Sequence, residues 1–189
     1  MKQDIAILTI YSLSFAIAFL ASVFLWSRFV ADRIGHSNLY ALGLLLIGIA
    51  FLSSMWITTV IEFYIWNFIG GLAFGAMGCV VMSIAADVND EVTNACERHQ
   101  EAALIGIRNF FYRFAFLLVG IILAGTHILT GYAPGAASQT DLAQLGVRIH
   151  AGLFSAIFSF VAGFMVLKFY DLKGEKREQL MASLREKGL

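Results

Sequence analysis

One proline and two cysteines in 189 residues, and charged side chains at only 14%, are the scarcities that matter most in this sequence. Soluble domains carry about a quarter charged residues and close to half apolar ones. Here the apolar share is 59% and the mean hydropathy is +0.78, which excludes a water-soluble domain. Net charge is also lacking: 13 Lys and Arg face 13 Asp and Glu. With no basic excess there is no electrostatic ground for nucleic acid as a partner. Cys79 lies in an apolar run and Cys96 in a charged segment, so no disulfide framework is expected, and Cys79 reads as a small packing residue. Enzyme signatures are missing as well. There is no His-Glu-x-x-His helix, no Gly-x-Ser-x-Gly elbow, no phosphate loop and no paired Cys motif. His36, His99, His127 and His150 show no spacing that assembles metal ligands, so neither an enzyme nor a metal site is expected.

What the sequence does hold is long apolar runs. A bilayer core of about 30 Å takes about 20 residues at 1.5 Å each, and segments near 5–26, 40–60, 64–86, 102–128 and 149–170 meet that length. They predict an all-α membrane bundle of five spans over 1–172, followed by a short amphipathic tail over 173–189 with Leu180, Met181 and Leu184 on one side. The first run is too long for a signal-peptide core and has no small-x-small cleavage site. Pro134 falls with Gly131, Gly135, Ser138 and Asp141 in the one long polar stretch, a predicted loop.

Basic residues divide unevenly between the two sides of such a bundle. Arg28, Arg33, Arg98, Arg108, Arg113, Lys168, Lys173, Lys176, Arg177, Arg185 and Lys187 fall on one side, against Lys2 and Arg148 on the other. This asymmetry predicts an external N-terminus and a cytoplasmic C-terminus. Trp56, Tyr64, Trp66 and Tyr132 then form an outer aromatic belt, with Trp26, Tyr40 and Tyr170 at the inner face. An odd number of spans, with only Lys2 to Asp4 ahead of the first, points to a chain that is part of a larger assembly.

Three groups of residues could carry function. Arg113 lies about ten residues into the fourth span, ~15 Å deep, where an isolated arginine costs ~2.5–3.5 kcal/mol on insertion scales. It must face protein or water. Seven-residue steps put Gly106, Gly120 and His127 near its face, with Asn109 one turn away and Tyr112 adjacent. That stripe fits a cavity wall, or an interhelical clamp in which Arg113 pairs with an acid or a helix-end carbonyl inside the bundle. Asp87, Asp90, Glu91, Glu97, Arg98 and Glu101 lie in the region between spans three and four, on the same side as Arg28, Asp32 and Arg33. They read either as an ion-pair latch closing one end of a pore or as a solvated charged loop. Gly71 and Gly75 form a small-residue seam suited to helix packing, and Asn67 on the same span reads as an interhelical donor or a site residue.

Three stretches carry a family resemblance. Arg28-Phe-Val-Ala-Asp32-Arg33-Ile-Gly35-His36 resembles the Asp-Arg-x-Gly-Arg loop of major facilitator transporters. Ala86-Asp87-Val-Asn-Asp90-Glu91, with Glu97-Arg98-His99-Gln-Glu101 after it, is similar to the Asp-x-x-Asp and Gly-x-Arg-x-Glu loop of the glycoside-pentoside-hexuronide cation symporters, the melibiose-permease group. Gly131-Tyr132 with Gln139, and Phe169-Tyr170-x-Leu172, resemble that group's closing segments. The resemblance covers nearly the whole chain and only the last five helices of a twelve-helix carrier. It departs at Gly78, where sugar-transporting members place an aromatic residue, and at His99, where an arginine is expected.

The resemblance implies the C-terminal part of a secondary transporter working by alternating access, with a sugar-like or other small organic solute bound between two halves. Arg113 falls where sugar carriers of the group place a lysine, and its planar fork suits a carboxylate or phosphate better than an ammonium does. The expectation is therefore cation-coupled symport, with Arg113, Asn109, Tyr112 and Asn67 as cavity residues. Asp87, Asp90, Glu101, Arg28, Asp32 and Arg33 are the expected gate residues. The implied partners are the lipid bilayer, the solute and N-terminal helices absent from this chain; no cofactor is expected beyond Na⁺ or H⁺, whose site would lie on those helices. A bacterial-type inner membrane is the expected location. The rival expectation is a small oligomeric helical membrane protein, or a partner subunit, with no transport activity of its own.

Overall fold

The structure, a computed structural model, describes residues 5–188, with side chains from residue 9 onward; Lys2, counted in the charge balance, lies outside them. Among the described residues nine α-helices follow in order: α1 (Ile5–Phe29), α2 (Ala31–Ile34), α3 (His36–Ser53), α4 (Val60–Gly78), α5 (Val81–Cys96), α6 (Glu101–Thr130), α7 (Asp141–Arg148), α8 (Ser155–Phe169) and α9 (Glu175–Lys187). Among the described residues there is no strand. Five segments of the described residues are long and apolar enough to cross a membrane: Thr9–Phe29, His36–Trp56, Val60–Cys96, Glu101–Thr130 and Asp141–Phe169. The protein is an all-α, multi-pass membrane bundle.

Small residues decide which helices touch, because in lipid the association of helices depends on close backbone approach and hydrogen bonds rather than on apolar burial. A Cβ added to Gly71 would lie 2.7 Å from the Phe15 carbonyl oxygen, and one added to Gly75 would collide with the Ser22 hydroxyl. These two glycines therefore seat α4 on Ala18 and Ser22 of α1, both fully buried. Polar side chains lock the pair along its length. The Trp26 indole donates to the Leu72 carbonyl at 2.9 Å, and the Asn67 amide donates to the Tyr11 carbonyl at 2.7 Å and to Ser14 Oγ at 3.1 Å. Such bonds average ~0.6 kcal/mol in membrane bundles. Tyr11 and Phe63 stack at 4.4 Å beyond them.

The other helices add to this pair. Gly43 of α3 abuts the backbone of α4, while Gly48 of α3 meets Phe160 of α8 and Gly163 of α8 meets Leu45 of α3. The order is thus α1, α4, α3, α8. Leu39, Ala76 and Val80, with Ala31, form the small central core.

The segments differ from the predicted spans at their ends. The third breaks at Cys79 and Val80 and continues as α5 to Cys96, well past the expected end near 86. The fifth begins earlier, since Asp141 opens α7 under a Thr140 cap that accepts from the Ala143 amide at 3.2 Å. A π-helical turn, Ile149–Phe154, joins α7 to α8. Arg148 donates to the Met55 and Ile57 carbonyls at 3.2 and 3.4 Å and pins that turn to the segment that follows α3. Helix α6 stands apart. None of its residues is buried, and its main packing is against α7 and the π turn.

Candidate functional site

At the end of the bundle that carries the tail, Asp87 is 3% exposed on α5. Few carboxylates are buried so deeply without a partner. Its Oδ1 accepts from Arg177 Nε at 2.8 Å, and its Oδ2 accepts from the Tyr170 hydroxyl at 3.3 Å. Both donors come from the chain after the fifth span. Helix α9 lies along α5, and four polar pairs join the two: Asp87 with Arg177, Glu91 with Lys176 at 3.5 Å, Asn94 with Ser183 at 2.8 Å, and Glu97 with Lys187 at 3.4 Å. Steps of four and three residues on α5 keep this row on one face. Leu180 and Leu184 of α9 pack against Leu172 and Tyr170 beneath it.

The electrostatics follow from this geometry. Burial, then the Asp87 charge and the bond to it, push the Tyr170 hydroxyl up to about 12. The Arg177 guanidinium is held further in its charged form by the same carboxylate. At the exposed edge, Lys176 bonds Asp171 at 2.6 Å, lowering the carboxyl and raising the ammonium from their ordinary values.

The gate residues expected from sequence are only partly assembled. Asp87 does not pair with Arg28 or Arg33. Those arginines, with Asp32, are exposed and enter no ion pair among the described residues. The physical reason is placement: α9 occupies the face of α5 that carries Asp87, so its arginine reaches the carboxylate first. Asp32 and Arg33 nonetheless line a polar cavity of about 510 Å³ together with Asp87, Tyr170, Lys173 and Arg177. Asp90 is half-buried and Glu101 exposed at the start of α6, neither in an ion pair among the described residues. Sequence reading missed Arg177 and Tyr170 as partners. The signal was the amphipathic tail, with Leu180 and Leu184 on its apolar side and Lys176, Arg177 and Lys187 to answer Glu91, Asp87 and Glu97.

The expected cavity residues are not gathered into one site within this chain. Arg113, Asn109 and Tyr112 are exposed on α6, and an added Cβ at Gly106 or Gly120 would meet nothing within 4 Å. Arg113 forms no ion pair with an acid among the described residues. Asn67 is spent on α1, so its interhelical reading holds in this structure; it also lines an apolar cavity of about 370 Å³ with Phe15, Trp66 and Phe74. Trp26 and Tyr170, two of the expected inner belt residues, hydrogen-bond the Leu72 carbonyl and the Asp87 carboxylate. At the opposite end, His127 stacks on Tyr132 at 4.2 Å and meets His150 edge-on at 5.1 Å. The turn chemistry that brings these histidines together is invisible to sequence spacing. Among the described residues no three His, Cys, Asp or Glu side chains gather as a metal site.

Comparison with known proteins adds a second line of argument. The profile of the family described as MFS/sugar transport protein matches residues 2–174. No curated protein matches the chain. The matched stretch takes in all five apolar segments and stops at the turn before α9. By this match and this architecture, the chain belongs to the MFS/sugar transport protein family.

Proposed function

We propose that the chain forms the C-terminal part of a cation-coupled symporter for a sugar-like or other small organic solute, moved by alternating access. The observation that carries this reading is the face of α6. Arg113 and Asn109 are exposed there beside glycines with open space in front of them. Lipid is an unsuitable neighbour for an arginine at that depth, which costs ~2.5–3.5 kcal/mol to insert. Helices outside this chain and a solute-bearing aqueous cavity satisfy it, and the guanidinium fork offers two parallel donors to a carboxylate or a cluster of hydroxyls. Asp87, held by α9, is the gate residue at the tail end. The preponderance of basic residues on that end supports a cytoplasmic placement in a plasma membrane. The melibiose-permease resemblance supports Na⁺ or H⁺ as the coupling ion.

Uptake of labelled glycosides and hexuronides by vesicles from cells making the carrier tests this. Arg113→Ala is expected to lower uptake about tenfold or more at equal protein level, the loss of one charge-assisted bond, while Arg113→Lys keeps a measurable part of it. Uptake untouched by Arg113→Ala overturns the cavity role. Wild-type uptake that ignores imposed Na⁺ and pH gradients alike overturns symport.

A further inference from the structure

The polar cavity at the tail end has a property that a gate does not require. Two helices begin at its wall. The first amides of α3, at His36, Ser37 and Asn38, have no backbone acceptor among the described residues, and the cap residue Gly35 supplies no side chain. Helix α9 begins on Gly174, again without a side-chain cap, and the amides of Glu175 and Arg177 are likewise without a backbone acceptor. Each helix start carries about half a positive charge, and free amides at such ends bind anions. Two of them meet on one cavity of about 510 Å³, within the ~300–1,000 Å³ of ordinary ligand sites.

A second, independent observation points to a ligand. Ser37 lines this cavity while only 4% exposed, and its hydroxyl makes no hydrogen bond among the described residues. The residue is nearly buried while its hydroxyl keeps some accessible surface on the cavity it lines, and polar groups in such places are normally paired. Around it stand Arg33, Lys173 and Arg177, against Asp32 and Asp87. Asp87 is already matched by Arg177 and Tyr170, so the lining keeps a surplus of positive charge before the helix ends are counted.

We infer that this cavity binds a phosphate group, with the Ser37 hydroxyl and the amides at the start of α3 as donors and Arg33 and Lys173 as the counter-charges. The phosphate belongs either to a lipid headgroup, since α3 enters the apolar span at this level, or to free phosphate in solution. The inference stands on the cavity and not on the transport reading, and it is read by binding alone.

The test uses the full chain. Inorganic phosphate is titrated into detergent-solubilised protein at fixed ionic strength and followed by ³¹P line broadening. In a second arm, protein in phosphatidylcholine nanodiscs with and without phosphatidylglycerol is examined by native mass spectrometry for retained lipid. Ser37→Ala and Lys173→Gln are each expected to weaken binding about tenfold, whereas Arg108→Gln, an equal loss of charge at an exposed position on α6, leaves it unchanged. Circular dichroism of each variant confirms that the helices persist. Saturable broadening by phosphate assigns a soluble ligand, and lipid retention without it assigns a headgroup. No binding in either arm, or binding weakened as much by Arg108→Gln as by the cavity variants, overturns the inference.

Discussion

The side chain that organises the tail end is Asp87, and its effect is measurable on Tyr170. The phenol is raised from 10.0 to about 12, first by burial and then by the carboxylate. A group whose folded value is raised lends stability that is fully present below its unfolded value and lost as the pH rises through the folded one. The docking of the segment after α8 is thus expected to be intact below pH 10.0 and to weaken between there and about 12. Ultraviolet titration of the phenolate checks this, and Asp87→Asn should bring the Tyr170 transition down toward its ordinary value. A transition unmoved by that substitution would show that burial alone holds the phenol neutral. Asp87 was legible in the sequence as a carboxylate on the end of an apolar helix. Arg177 was not, because a pair separated by 90 positions leaves no trace in local pattern, and the basic residues nearest in sequence logic, Arg28 and Arg33, lie beyond its reach, with Arg33 on another wall of the same cavity.

Helices were easier to read than their partners. Five apolar stretches are visible because a helix inside a soluble domain rarely stays apolar over a full membrane length. Their ends were not, since α5 runs on past the apolar stretch as a polar helix carrying the acidic row, and α7 begins within a polar stretch on the strength of one threonine cap. The glycines divide by environment in a way that only the packed structure reveals. Gly75→Ala forces a methyl into the Ser22 side chain and is expected to destabilise the bundle by ~1–3 kcal/mol, the ordinary range for overpacking. Gly120→Ala meets open space and should stabilise α6 by up to ~1 kcal/mol through helix propensity. Thermal unfolding in detergent distinguishes the two. The transport reading adds that Gly120→Ala lowers uptake in spite of its stability, because that surface is then a seat for neighbouring helices or solute. A stable variant with wild-type uptake would instead assign the α6 face to lipid.

At the scale of the molecule, the bundle and its strap are separable. Helix α9 rests almost wholly on α5 and the segment after α8, through one apolar cluster and a row of polar pairs, and α1, α3, α4 and α8 pack without it. Removing residues 175–189 should therefore leave the spans folded while taking Arg177 from a carboxylate that is 3% exposed. The consequence is a reversal of sign. In the intact chain Asp87→Asn strands Arg177 and is expected to cost ~1–2 kcal/mol, less than the ~3–5 of a fully buried pair because Arg177 is 46% exposed. In the truncated chain the same substitution removes a buried charge that has lost its cation, and it is expected to raise the unfolding midpoint. Four proteins, the intact and truncated chains each with Asp87 and with Asn at that position, form a double-mutant cycle whose coupling term isolates the strap. Equal effects of Asp87→Asn in both backgrounds would show that Asp87 answers to Tyr170 or to solvent, and that α9 does not hold it.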